Sequence, residues 1–171
     1  MARDRGAVLL ALLNSTPVVN GTPTDELGDD ESARRWLLLH EIPATSEDRQ
    51  ILREGRDLLQ AVVRGRQGAG ALAPLLTGVV SRPSISDAGM TWTVDAGGAR
   101  GVIVESIMAW DELHRSKPGR LRPCANDECA LFLLDRSKSN SARWCSMTTC
   151  GNKLKARRHY QRSRSGETST A

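Results

Sequence analysis

The stretches Arg122-Pro123-Cys124-Ala125-Asn126-Asp127-Glu128-Cys129 and Trp144-Cys145-Ser146-Met147-Thr148-Thr149-Cys150-Gly151-Asn152 carry all four cysteines of the chain. They form two Cys-x4-Cys pairs separated by fifteen residues. Two thiol pairs and a spacer suit one tetrahedral zinc. A dication with sulfur at about 2.3 Å strips protons from thiols that titrate near 8.5, and four thiolates close the shell, so such an ion supports folding rather than hydrolysis. Disulfides, free buried thiols and iron–sulfur ligation are the alternatives, and the four-residue gaps are wider than the two residues usual between paired zinc cysteines. In a reducing compartment zinc is the preferred reading, with one Zn2+ per chain on Cys124, Cys129, Cys145 and Cys150.

The residues around these pairs predict a local fold. Ala125 to Glu128 is turn-forming, Leu131 to Leu134 reads as a strand, Ser137 to Asn140 as a loop and Ala142 to Cys145 as a returning strand. Ser146 can cap a helix that begins at Met147, which places Cys150 in the first turn, where the positive end of the dipole favours a thiolate. The expectation is a treble-clef-like ββα module over residues 118–164. Its apolar residues are few, and structural zinc contributes on the order of 10 kcal/mol or more in such modules, so metal would decide whether it folds, independently of the core before it.

Working outward, residues 1–117 read as a mainly helical domain with one small β-hairpin. Helices are expected at 6–13, at 33–41 behind the acidic Asp29-Asp30-Glu31, and from a Thr45/Asp48 capping box to Gly65. A short helix is expected within 71–80, and a longer one at 99–116, ended by Pro118-Gly119. Ser84-Ile85-Ser86 and Thr91-Trp92-Thr93-Val94 alternate about Asp87-Ala88-Gly89 as hairpin arms would. Residues 165–171 are small and polar and read as a disordered tail.

Charge divides the 171-residue chain at the same place. Residues 1–113 are net −5 and residues 114–171 net +9. From Asn152 to Arg164, six of thirteen residues are Lys or Arg. A helix this positive calls for a negative partner, and Lys153, Lys155, Arg157, Arg158 and Arg162 with Asn152 are candidates for contacting nucleic acid. Arg136, Lys138 and Arg143 could extend that patch from the hairpin. Docking on the acidic half of the chain is the plainer alternative.

Other signals point to structure rather than chemistry. Gly68-Ala69-Gly70-Ala71-Leu72-Ala73 follows a helix, not a strand, and is no dinucleotide box. Asp25, Glu26, Asp29, Asp30 and Glu31 suit a loop and a helix start, Trp36, Trp92 and Trp110 suit core packing, and His40 and His114 have no nucleophile or carboxylate partner in sequence. No catalytic set is visible, so no enzyme is expected. No apolar run is long enough to span a bilayer, and Met1 to Leu13 makes a poor signal peptide because of Asp4, so a cytoplasmic protein is expected.

Four segments resemble the CGNR zinc-finger family of bacterial proteins: Cys124-x4-Cys129; Asp135-Arg136-Ser137; Arg143-Trp144-Cys145-Ser146-Met147; and Cys150-Gly151-Asn152-Lys153-x-Lys155-Ala156-Arg157-Arg158. That family usually carries an N-terminal, mainly helical ABATE domain, whose hydrophobic-Asn-Thr start Leu13-Asn14-Ser15-Thr16 resembles. The resemblance implies zinc on the four cysteines, DNA binding and a role in stress-related transcription regulation; a small effector or another protein is expected as the partner of the N-terminal domain. An RNA-binding or protein-interaction adaptor built on the same module is the alternative. Lys153 stands where the name-giving Arg would be, keeping the charge and losing the bidentate fork.

Overall fold

The computed structural model describes residues 4–43 and 48–166, without the side chains of 48, 158–159 and 162–166. Five α-helices dominate it: α1 (Arg5–Leu13), α2 (Asp30–Leu39), α3 (Asp48–Val63), α4 (Gly98–Ser116) and α5 (Asn152–Gly166). Three two-stranded antiparallel sheets lie between them: β1 (Val18–Val19) with β2 (Thr22–Pro23), β3 (Ser81–Ser86) with β4 (Gly89–Val94), and β5 (Leu121–Pro123) with β6 (Phe132–Leu134).

Helices α1, α3 and α4 form the body because each turns an apolar stripe inward. Leu9, Leu12 and Leu13 of α1, Leu52 and Leu59 of α3, and Val102, Ile103 and Ile107 of α4 meet in one buried cluster. Asp4 caps α1 by accepting hydrogen bonds from the N–H groups of Gly6 and Ala7. Gly55 lets α3 cross close to α4, since a Cβ there would fall 2.4 Å from Cδ1 of Ile103. Trp36 and Leu37 of α2 close one side of the cluster, and the His40 ring lies 4.3 Å from that of Trp36.

The acidic residues before α3 are absorbed structurally. Asp29 caps α2 on the Ser32 N–H, while Asp30 pairs with Arg49 and Glu31 with Arg35. Asp25 accepts two hydrogen bonds from the guanidinium of Arg56, which is only 2% exposed and also reaches the buried Ser15 hydroxyl. Burial pushes the Asp25 carboxyl up, but hydrogen bonds from Arg56 and the Leu27 N–H, with the Arg56 and Arg53 charges, together leave the group below its ordinary value.

Several expectations are corrected. The segment after the glycine-rich break is a 3-10 helix, Ala69–Leu76, containing Pro74, which has no N–H to give a longer α-helical ladder. The Thr45/Asp48 capping box lies outside the described residues. Trp36 is buried and Trp110 packs against the core, but Trp92 is 58% exposed on β4. Ala142 to Cys145 is not a strand; β6 pairs instead with β5, so the cysteine knuckle 124–129 is the tip of that hairpin. Helix α5 runs on to Gly166, taking in the first two residues expected in a disordered tail; residues 167–171 lie outside the described residues. Among the described residues, no helix is long and apolar enough to cross a membrane.

The separate core expected for the zinc module is also corrected. Phe132 of β6 is 1% exposed and belongs to the helical cluster. Asn14, at the end of α1, clips its backbone from both sides: the Phe132 N–H donates to Oδ1 at 2.7 Å, and Nδ2 donates to the Phe132 carbonyl at 3.2 Å. Arg64 stacks over the Phe132 ring at 4.2 Å and donates to the Ala130 carbonyl at 2.6 Å. Phe132→Ala is therefore expected to cost about 3–5 kcal/mol, read as loss of helical circular dichroism in urea. A purely local effect on the zinc module would leave that helical transition unmoved.

Candidate metal centre and basic helix

The Cys124–Cys129 loop closes through one buried side chain. Asn126, 4% exposed, accepts from the Glu128 N–H at its side-chain oxygen, while its backbone carbonyl accepts from the Cys129 N–H at 2.8 Å. Its amide nitrogen donates to Sγ of Cys150 at 3.4 Å, tying the first cysteine pair to the second. The second pair sits at a helix start. Ser146 caps a single π turn, Met147–Gly151, by accepting from the Thr149 N–H, and α5 continues from it. The Cys145 N–H points at Sγ of Cys124 at 3.4 Å.

The stretch 135–145 reaches this position without strand pairing because an ion pair holds it. Asp135, 2% exposed, accepts from Nη2 of Arg122 at 2.5 Å and from the N–H groups of Ser137 and Ala142, each at 2.8 Å. Arg122 also donates to the carbonyls of Gly119, Asn140 and Ala142. Hydrogen bonds from Ser137 and Ala142, with the Arg122 charge, hold the Asp135 carboxyl down to about 2 despite its burial.

The four sulfurs converge. All lie within 4.8 Å of one another, and Sγ of Cys145 stands 3.7 Å from those of Cys129 and Cys150. A tetrahedral zinc with sulfur at about 2.3 Å requires edges of about 3.8 Å, so the cluster has the dimensions of one Zn2+ site. None of the four is in a disulfide. Their electrostatics also call for a cation. Burial pushes the Cys129 thiol up to about 11 and raises Cys145 further, with the neighbouring thiols adding to it. Cys150 moves the other way: burial opposes ionisation, but the Asn126 amide and the surrounding thiols hold it below its ordinary value. Four thiolates this close need a dication to coexist, and with four sulfurs around it the ion has no position left for water.

The expected nucleic-acid residues fall into separate groups. Asn152, Lys153, Lys155 and Arg157 are exposed on α5. The side chains of Arg158 and Arg162 lie outside the described residues. Lys153 and Arg157, one turn apart, both reach back to Glu128 on the knuckle, Lys153 Nζ to Oε2 at 2.6 Å and the Arg157 guanidinium to Oε1. These contacts, Lys153 first, bring the Glu128 carboxyl down to about 2. Their stabilisation is thus complete above the ordinary carboxylate range and lost as pH falls toward about 2. Away from α5, Arg136 faces Asp4 at 3.7 Å, and with Lys138 lines a groove beside the start of α1. Arg143 is exposed beside the Trp144 ring.

Sequence reasoning missed Asn126, Asp135 and Arg122 as members of the centre. Asn and Asp flanking a cysteine turn are a usable signal for the first, and the Asp135-Arg136-Ser137 motif for the second. Nothing local marks Arg122, whose partners lie up to twenty residues away.

Comparison with known families agrees with this geometry. Residues 120–163 match the CGNR zinc finger, and residues 6–131 match ABATE, the family described as "Putative stress-induced transcription regulator". Among curated proteins there is no match to the chain. The finger match and the cysteine cluster together give a single Zn2+ site. Metal analysis of protein purified without added zinc is expected to yield about one equivalent per chain, as a four-thiolate site requires, and disulfides found in place of metal would contradict it. Asn126→Ala is expected to weaken zinc retention about 10- to 100-fold in competition with a chelator, as loss of a partner to a ligating atom does elsewhere.

Proposed function

Since the chain belongs to the ABATE family, and since its four cysteines set a metal site at the head of an exposed basic helix, we propose that it is a zinc-dependent DNA-binding transcription regulator. In this reading the module over residues 118–164 is treble-clef-like and meets DNA through α5, and the helical domain over residues 1–117 controls it by taking a small effector or another protein. The protein binds rather than catalyses, and it works in the cytoplasm, where duplex DNA is its partner. The observation that carries the reading is the exposure of Asn152, Lys153, Lys155 and Arg157 along one short helix that starts at the metal centre. Recognition helices enter the major groove by their N-terminal residues, and lysine and arginine beyond them neutralise phosphates.

Arg136 and Lys138 contribute to this surface less directly, because they line the groove against α1. The competing adaptor reading, RNA or protein on the same module, draws support from the Glu128 pairing, which occupies two of the cations within the chain itself. Gel shifts with duplex DNA and single-stranded RNA separate the two.

For DNA, about five to seven displaced counterions give a slope of log affinity against log salt near −5 to −6, at about 0.9 per phosphate. Replacing Lys155, Arg158 and Arg162 is expected to make the slope shallower by up to about three. Affinity and slope both unchanged would exclude α5 as the surface. Glu128→Gln is expected to act in the opposite direction, freeing Lys153 and Arg157 for phosphate, tightening binding at low salt and steepening the slope by up to about two. A weaker complex on that substitution would mean that Glu128 positions the helix rather than competing with DNA.

A further inference from the structure

Strands β3 and β4 form a two-stranded ribbon whose cross-strand partners alternate between its faces. The register pairs Ser81 with Val94, Pro83 with Trp92 and Ile85 with Met90 on one face, and Arg82 with Thr93 and Ser84 with Thr91 on the other. The polar face is internally satisfied. The Ser84 and Thr91 hydroxyls are 2.7 Å apart, and Arg82 pairs with Asp95 at 3.1 Å. Apart from Ser81 at its end, the other face is apolar, and it is uncharged and open to solvent: Ile85 is 84% exposed, Met90 62% and Trp92 58%, with Pro83 exposed and Val94 half-buried beside them.

Such a ribbon is deficient as it stands. Two strands are marginal in water unless an apolar face is covered by another sheet or a helix, and among the described residues none of the buried core extends under this one. The alternation of Pro, Ile, Met, Trp and Val on a single face gives it the pattern of a sheet that packs against something.

We propose that the cover is a second copy of this chain, the two ribbons packing through their apolar faces about a two-fold axis. The area fits. The five residues present on the order of 500 Å² per chain, so face-to-face packing removes up to about 1,000 Å² in all, the lower end of what a specific interface needs. At about 500 Å² per chain the face is as large as the largest apolar patch of a typical monomer, about 300–600 Å², a patch that is often functional. Charge fits as well. A two-fold contact sets this patch against the same patch on its partner, so an uncharged face meets an uncharged face and no charge is buried unpaired. This face has none, whereas Arg82, Asp87 and Asp95 all lie on the opposite face, at the tip or at the base. The inference does not depend on whether α5 binds DNA.

The test is sedimentation or light scattering of the full zinc-loaded chain across a concentration series. A mass of twice the chain is expected at high concentration, dissociating on dilution. Trp92→Ser combined with Ile85→Lys is expected to give the mass of a single chain at all concentrations, with helical circular dichroism and zinc content unchanged because both side chains are exposed. The polar-face control Thr91→Lys is expected to remain dimeric. A wild-type chain that stays monomeric throughout would overturn the proposal, as would a double variant that keeps the dimer or a Thr91→Lys variant that loses it.

Discussion

The backbone clip of Asn14 on Phe132 joins the two halves of the molecule, and the remaining organisation depends on it. The Phe132 ring fills the helical core, while its strand leads directly out of the cysteine knuckle. A buried N–H and carbonyl must be paired, and Asn14 supplies both partners from the end of α1. The consequence is thermodynamic. Metal binding at the cysteines stabilises β5 and β6, and through Phe132 it stabilises the helices; an event that stabilises the helices favours metal binding by the same free energy.

The parts legible in the sequence were those governed by local rules. The apolar period of α1, α3 and α4, the Pro118-Gly119 stop, the Ser146 cap and the Cys-x4-Cys spacing each depend on residues within a turn or two of one another. Arg56 was not legible, because arginine is ordinarily exposed, and besides its neighbour Asp57 the partners that make its burial tolerable, Asp25 and Ser15, are distant in sequence. The returning strand at 142–145 failed for a related reason: the Arg122–Asp135 pair satisfies both backbone groups of Ala142, and the Arg143 carbonyl accepts from the Ala125 N–H, so no ladder is needed. The small β1–β2 hairpin was within reach, since Asn20-Gly21, with φ of 52° and 83°, is the dipeptide that a tight hairpin turn prefers.

Burial of Trp92 was the opposite failure. A tryptophan on an alternating strand is read as core because its area is costly to expose, yet β4 leaves it in solvent. The period of the strand was correct and its apolar face correctly identifiable; what the sequence could not provide was the surface against which that face would lie.

The electrostatics of α5 turn on a single carboxylate. Glu128 divides its two oxygens between Lys153 and Arg157, so the helix is fastened to the knuckle beside the metal by two contacts to one side chain. Lysine at 153 suits that division. Its ammonium is a compact charge that engages one oxygen and leaves the other free, whereas a guanidinium fork would tend to take both. Under the DNA-binding reading, the same property limits what Lys153 can read. An ammonium can still donate to guanine O6 and N7, but without the fixed planar fork that sets an arginine's orientation. Beside it Asn152 offers a more directional reader at the start of α5, since its exposed amide can both donate and accept, a pairing that suits adenine.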